Sequence, residues 1–135
     1  MAVGMYWLLH WTPSPTGFLK FNVNGATRGC LGSAGCGGVF RDNKGVVIAL
    51  FSNLLGSTLP LITELVAIKL ATCFFDQSAR RCDKGLIIIE SDSATVVSWF
   101  IKKDDRPWKL WCLFDDIDRF SSKIGLISFH HVNRD

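Results

Sequence analysis

No stretch of this chain is long and apolar enough to span a bilayer. The apolar opening from Met1 to Trp11 falls far short of the roughly 20 residues a spanning helix needs. It carries neither a basic leading region nor a small-residue cleavage site, so nothing in it signals secretion, and an intracellular setting, nuclear or cytoplasmic, is expected. Metal-binding cysteine patterns are also lacking. Cys30, Cys36, Cys73, Cys82 and Cys112 are odd in number and form no CxxC or Cys/His spacing, which excludes a zinc module and leaves reduced thiols as the reading. There are no repeats and no low-complexity tracts. Charge of one sign is scarce too: the net +3 permits a polyanionic partner without demanding one.

What is present is a chain of 135 residues, 48% hydrophobic, which suits one domain that folds without staples. Residues 1–17 read as an amino-terminal extension and 18–135 as the domain. Leu19, Phe21 and Val23 alternate with Lys20, Asn22 and Asn24, the period of a strand, which should end at Gly25. A glycine-rich stretch follows, and then Val39-Phe40-Arg41, the turn Asp42-Asn43-Lys44-Gly45 and Val46 to Phe51 read as a hairpin.

From Pro60 to Phe75 the period becomes helical, with Leu61, Leu65, Ile68, Ala71, Thr72 and Phe75 on one stripe. The β-branched run Leu86 to Ile89 predicts a strand buried on both faces. Ser93 caps a short helix through Ile101, Pro107 opens another through about Phe120, and Leu126 to Val132 alternates as a last strand. The expected class is α/β, a five-stranded mixed sheet flanked by helices, in the order β-β-β-α-β-α-α-β.

Three positions converge in this order. Asn24 and Asp92 lie at the carboxyl ends of two strands, where ligands of open α/β sheets gather. Glu64 follows the buried stripe of its helix, and Ala67 and Ile68 offer it no ion pair one turn on. A carboxylate at a core margin without a partner calls for a proton or a metal. For Asp92 the helix dipole behind Ser93 offers a competing, purely structural role. Glu90 reads as structural, and His130 and His131, on alternating strand faces, receive no catalytic role. Lys102, Lys103, Arg106, Trp108, Lys109 and Trp111 mix cations with aromatics in a way that suits a nucleic-acid backbone. Asp104 and Asp105 interrupt that run, and the tryptophans are assigned to the core.

The blocks WTPSPTGFLKFNVNGATRG, AGCGGVFRDNKG, TELVAIKLA, IIIESDS and FHHVNRD resemble, in order and separation, the type 1 RNase H fold, and in particular RNase H-like domains of plant non-LTR retroelement origin. The resemblance implies an endonuclease that cuts the RNA strand of an RNA/DNA hybrid with two Mg²⁺ ions held by four carboxylates. Glu64 and Asp92 match the second and third of these, and are the implied catalytic and metal-binding residues. Asn24 stands where the first aspartate belongs, a degenerate catalytic position. The family's final helix, with its last aspartate, is not found before Asp135.

Arg28, Gly29 and Cys30 fall in the implied nucleic-acid contact. There Gly29-Cys30-Leu31-Gly32 replaces a Gly-Asn-Pro-Gly turn whose amide meets the RNA strand in relatives. Two Mg²⁺ ions about 4 Å apart need charge around them, and Glu64 and Asp92 supply half of what four carboxylates would. Weak or absent Mg²⁺ binding and impaired hydrolysis follow. The partner implied is an RNA/DNA hybrid or other nucleic acid, bound by a monomer. Two other readings stand beside this one: an active Mg²⁺-dependent hybrid ribonuclease within a longer chain, and a protein-interaction module that keeps only the fold.

Overall fold

A computed structural model describes residues 5–7, 18–27, 33–42, 44–57, 60–77 and 86–133. Six strands make one sheet: β1 (Met5–Trp7), β2 (Phe18–Thr27), β3 (Ser33–Arg41), β4 (Val47–Ser57), β5 (Leu86–Ser91) and β6 (Ile127–His131), in the spatial order β1-β4-β3-β2-β5-β6. The β2-β3-β4 meander is antiparallel, whereas β5 pairs with β2, and β6 with β5, in parallel. Three helices, α1 (Pro60–Gln77), α2 (Ala94–Ile101) and α3 (Trp111–Ile124), complete the α/β architecture. The five expected strands are all present. A sixth is added at the sheet edge, where Tyr6 pairs with Leu50, inside the segment read as an extension.

The period-two pattern of β2 translates directly into burial. Leu19, Phe21 and Val23 face the helices and are buried, while Lys20 and Asn22 face the other side. Phe21 meets Phe40 of β3 edge to face at 3.8 Å between ring centroids, and Phe40 in turn meets Phe75 of α1 at 5.7 Å. The helix α1 lies over β2 and β3 and is itself covered by α3 and α2. That explains why Thr63, Glu64, Leu65, Ala67, Ile68, Ala71, Thr72 and Phe75 are all buried, a wider face than one stripe. Leu61, predicted to belong to the stripe, is exposed at the helix start.

Several expectations are corrected by pairing between distant residues. The first strand continues past Gly25 to Thr27, and much of the glycine-rich stretch is strand rather than loop. Gly37 and Gly38 pair with Asn24 and Val23 on one side and with Ser52 and Phe51 on the other, so a ladder on both edges outweighs poor intrinsic propensity. In β5, Ile87 and Ile89 are buried but Ile88 only partly so. Among the described residues the helices cover one face of the sheet, and Ile88 points to the other. The helix expected from Pro107 begins instead as a 3₁₀ turn at Trp108–Leu110, and regular α-helix starts at Trp111 and runs to Ile124.

Local signals hold where the chemistry is local. Asp42 accepts the N–H groups of Lys44 and Val46 at 2.9 Å each, and Gly45 takes φ +83°, closing the hairpin turn. Ser93 caps α2 by accepting the Val96 N–H at 3.2 Å. Gly125, at φ +104°, ends α3 with its N–H on the Ser121 carbonyl. Cys73 and Cys112 are free thiols, as expected, and burial, aided by nearby Asp76, pushes the Cys73 thiol up and so keeps it protonated.

Candidate functional site

The parallel pairing of β2 and β5 sets the geometry. Asn22 lies opposite Glu90 in this register, and both strands run toward the same end of the sheet. Two residues further along each chain, about 7 Å, come Asn24, still within β2, and Asp92, just past the end of β5. By the pleat Asn24 falls in step with Lys20 and Asn22, three residues before the end of β2, at the level of Asp92 just past the end of β5. For Asn24 the structure describes the backbone. Asp92 is half-buried and directly precedes the α2 cap Ser93.

Glu64 reaches this point from α1. Its side chain is buried, with 5% of the residue exposed, and its Oε2 accepts a hydrogen bond of 3.0 Å from the hydroxyl of Ser91, itself 1% exposed. The Ser93 N–H in turn donates to Ser91 Oγ at 3.1 Å. One serine thereby ties α1, the end of β5 and the start of α2 together, next to Asp92. The structure brings Glu64 to Ser91, the residue preceding Asp92. The hydroxyl partner was not foreseen. Its signal lay in the phase of β5, because Ser91 falls in step with buried Ile87 and Ile89, and a buried hydroxyl needs a partner.

Glu90 is structural, as read. The Asn22 amide donates to its Oε1 at 2.9 Å, and Lys20 Nζ lies 3.7 Å from its Oε2. Arg28, Gly29 and Cys30 lie outside the described residues, as does Asp135, although β2 runs to Thr27, the residue before Arg28. On β6, Ser128 Oγ and His130 Nε2 are 2.6 Å apart at the exposed edge, away from the buried helix face.

The cationic segment between α2 and α3 departs from expectation. Trp99 is buried against Phe114, but Trp108 and Trp111 are 70% and 57% exposed and do not serve the core. The Trp111 indole N–H donates to the Arg106 carbonyl at 3.2 Å. The Arg106 side chain, 8% exposed, pairs with both oxygens of Asp118 at 2.7 and 3.2 Å, donates to the Trp99 carbonyl at 2.8 Å and lies over the Phe114 ring. Around it, Lys102, Lys103 and Lys109 are matched by exposed Asp104, Asp105 and Asp115.

As a metal centre the donor set is hard but thin. Glu64 and Asp92 offer carboxylate oxygens and Asn24 an amide, types that suit Mg²⁺ better than a soft metal. The Ser91 bond satisfies one lone pair of Glu64 without neutralising its charge. Among the described residues, no group of three or more His, Cys, Asp or Glu side chains gathers to hold an ion. The residues fit one weakly held hard cation better than two.

Known proteins give the same architecture. A family model described as reverse transcriptase-like matches residues 22–135. Among solved structures, LC11-RNase H1 in complex with an RNA/DNA hybrid superposes with a TM-score of 0.79 at 21% identity, over 86% of this chain and 86% of that one. RNase H1 from the halophilic archaeon Halobacterium salinarum gives 0.73 at 22% identity, covering 87% of this chain and 86% of that one. The amino-terminal RNase H domain of a Mycobacterium tuberculosis protein gives 0.75 at 18% identity, covering 87% and 88%. No curated protein sequence matches.

Proposed function

The chain belongs to the reverse transcriptase-like family, and from that premise we propose that it is an RNase H-like domain that binds RNA/DNA hybrids and has lost most of its hydrolytic capacity. The observation that carries this reading is the shared register of β2 and β5. It supports the reading by carrying Asn24 and Asp92 two residues beyond the Asn22–Glu90 pair, while Ser91 holds Glu64 at the end of β5. The fold supports the hybrid as partner, since a structural neighbour is a complex with one.

A bound Mg²⁺ would supply charge to activate water and to stabilise the leaving oxygen. Toward that chemistry Glu64 and Asp92 present two anions at one end of the sheet. Asn24 presents at most a carbonyl oxygen, which coordinates without compensating charge. Arg28, next in sequence after Thr27 at the end of β2, is the cation this reading assigns to a phosphate contact. Gly29 and Cys30 follow it in the proposed contact segment, whose sequence lacks the amide found in relatives. No helix of the described residues is long and apolar enough to cross a membrane.

Titration of a fluorescent RNA/DNA hybrid at a series of salt concentrations tests the binding half of the proposal. Affinity is expected to fall steeply as salt rises, and Arg28→Ala to weaken binding while lowering the slope of log K against log salt by about one phosphate contact. No binding at low salt would contradict the proposal and favour a protein-interaction module.

A further inference from the structure

We infer that Ser91 is a positioning residue for Glu64, whose hydroxyl sets the carboxylate for capture of a divalent cation. The inference rests on the reading of Glu64 and Asp92 as cation ligands. A glutamate side chain has three rotatable bonds, and packing in a helix restrains the first two far more than the terminal carboxylate torsion. In Glu64 the terminal group accepts a bond of defined geometry, 3.0 Å from Ser91 Oγ to Oε2.

The direction of that bond is set by its surroundings. A serine hydroxyl has a single proton, and the Ser93 N–H donates to the same oxygen at 3.1 Å, so a lone pair is already engaged there. The proton is left for Glu64. Ser93 is fixed in turn, because its own Oγ caps α2 through the Val96 N–H at 3.2 Å. A relay runs from a helix cap through two backbone-anchored groups to a buried carboxylate, and Asp92 sits between the two serines. Orienting groups behind metal ligands commonly change metal affinity by about 10- to 100-fold.

The test is titration of the full chain with Mn²⁺, followed by calorimetry and water-proton relaxation, with thermal unfolding of each metal-free variant run in parallel. Four proteins are compared: the unmodified chain, Ser91→Ala, Ser91→Thr and Glu64→Gln. Ser91→Ala is expected to weaken Mn²⁺ by about tenfold, Ser91→Thr, which keeps the hydroxyl, to hold affinity within about threefold, and Glu64→Gln to weaken it at least as much as Ser91→Ala. If Ser91→Ala does not fold, Ser91→Cys, which keeps the volume with a weaker donor, is expected to show the same loss. A melting temperature lowered by Ser91→Ala with unchanged Mn²⁺ affinity, while Glu64→Gln loses it, would overturn the positioning role alone. Unchanged affinity in Glu64→Gln would overturn the underlying ligand assignment and the inference with it.

Discussion

Asn24→Asp is expected to tighten Mn²⁺ binding by about tenfold or more, roughly 1.4 kcal/mol or greater, and to lower the melting temperature of the metal-free protein. Both effects share one cause. The substitution adds an anion in β2 at the level of Asp92, one strand over from the end of β5 where Ser91 holds Glu64. Without a cation, the added like charge raises the energy of the folded state and is relieved on unfolding. With one, the third carboxylate supplies the compensation that an amide cannot. Excess Mg²⁺ should then raise the melting temperature of Asn24→Asp by more than it raises that of the unmodified chain, because a ligand stabilises in proportion to its affinity for the native state. Calorimetric titration and paired melting curves check both signs. Equal Mn²⁺ affinity in the two proteins would mean that position 24 does not face the ion.

The largest stability effect is expected at Arg106, outside the candidate site. Its nearly buried guanidinium joins the Trp99 carbonyl at the end of α2 to Asp118 of α3, and stacks on Phe114. Arg106→Ala removes the packing of the long side chain and leaves the Trp99 carbonyl and Asp118 without this donor, a combined loss of about 2–3 kcal/mol. Asp118→Ala should lose less, about 1–2 kcal/mol, because water reaches the pair through an aspartate that is 36% exposed and the arginine keeps its carbonyl partner. The double variant should lose less than the sum, since both substitutions break the same bidentate contact. Urea unfolding of the four proteins measures each term. A loss below about 0.5 kcal/mol for Arg106→Ala, the range of an ordinary surface change, would show that Arg106 does not hold the junction together.

The elements legible from sequence are those whose causes lie within a few residues. Leu19, Phe21 and Val23 announce β2, Asp42 and Gly45 announce a turn, and Ser93 announces a helix start, because alternation, turn chemistry and capping are all local. What could not be read depends on partners far along the chain. Three residues of β1 are too few to show a period, and they are strand because β4 offers its edge. Gly35, Gly37 and Gly38 carry no strand signal of their own and are recruited between β2 and β4. Trp108 and Trp111 look like core by residue type, yet Trp108 opens a 3₁₀ turn after Pro107, Trp111 opens α3, and both are exposed.

The site divides in the same way. That Asn24 and Asp92 lie at one level of neighbouring strands, and that Glu64 turns inward from α1, follow from pattern and topology, whereas the continuation of β2 past Asn24 to Thr27 does not. The Ser91 bond to Glu64 does not, because it joins residues 27 positions apart and depends on how α1 settles on the sheet. Most of the fold was therefore readable, but the contact that orients one carboxylate of the site was not.

Cleavage of a labelled RNA/DNA hybrid by the unmodified 135-residue chain in Mg²⁺, measured beside hybrid binding under the same conditions, tests the central claim most directly. The account predicts that the hybrid is bound and left essentially intact, because two carboxylates and an amide do not compensate the two ions that the chemistry needs. Brisk turnover that Asp92→Asn abolishes would contradict it.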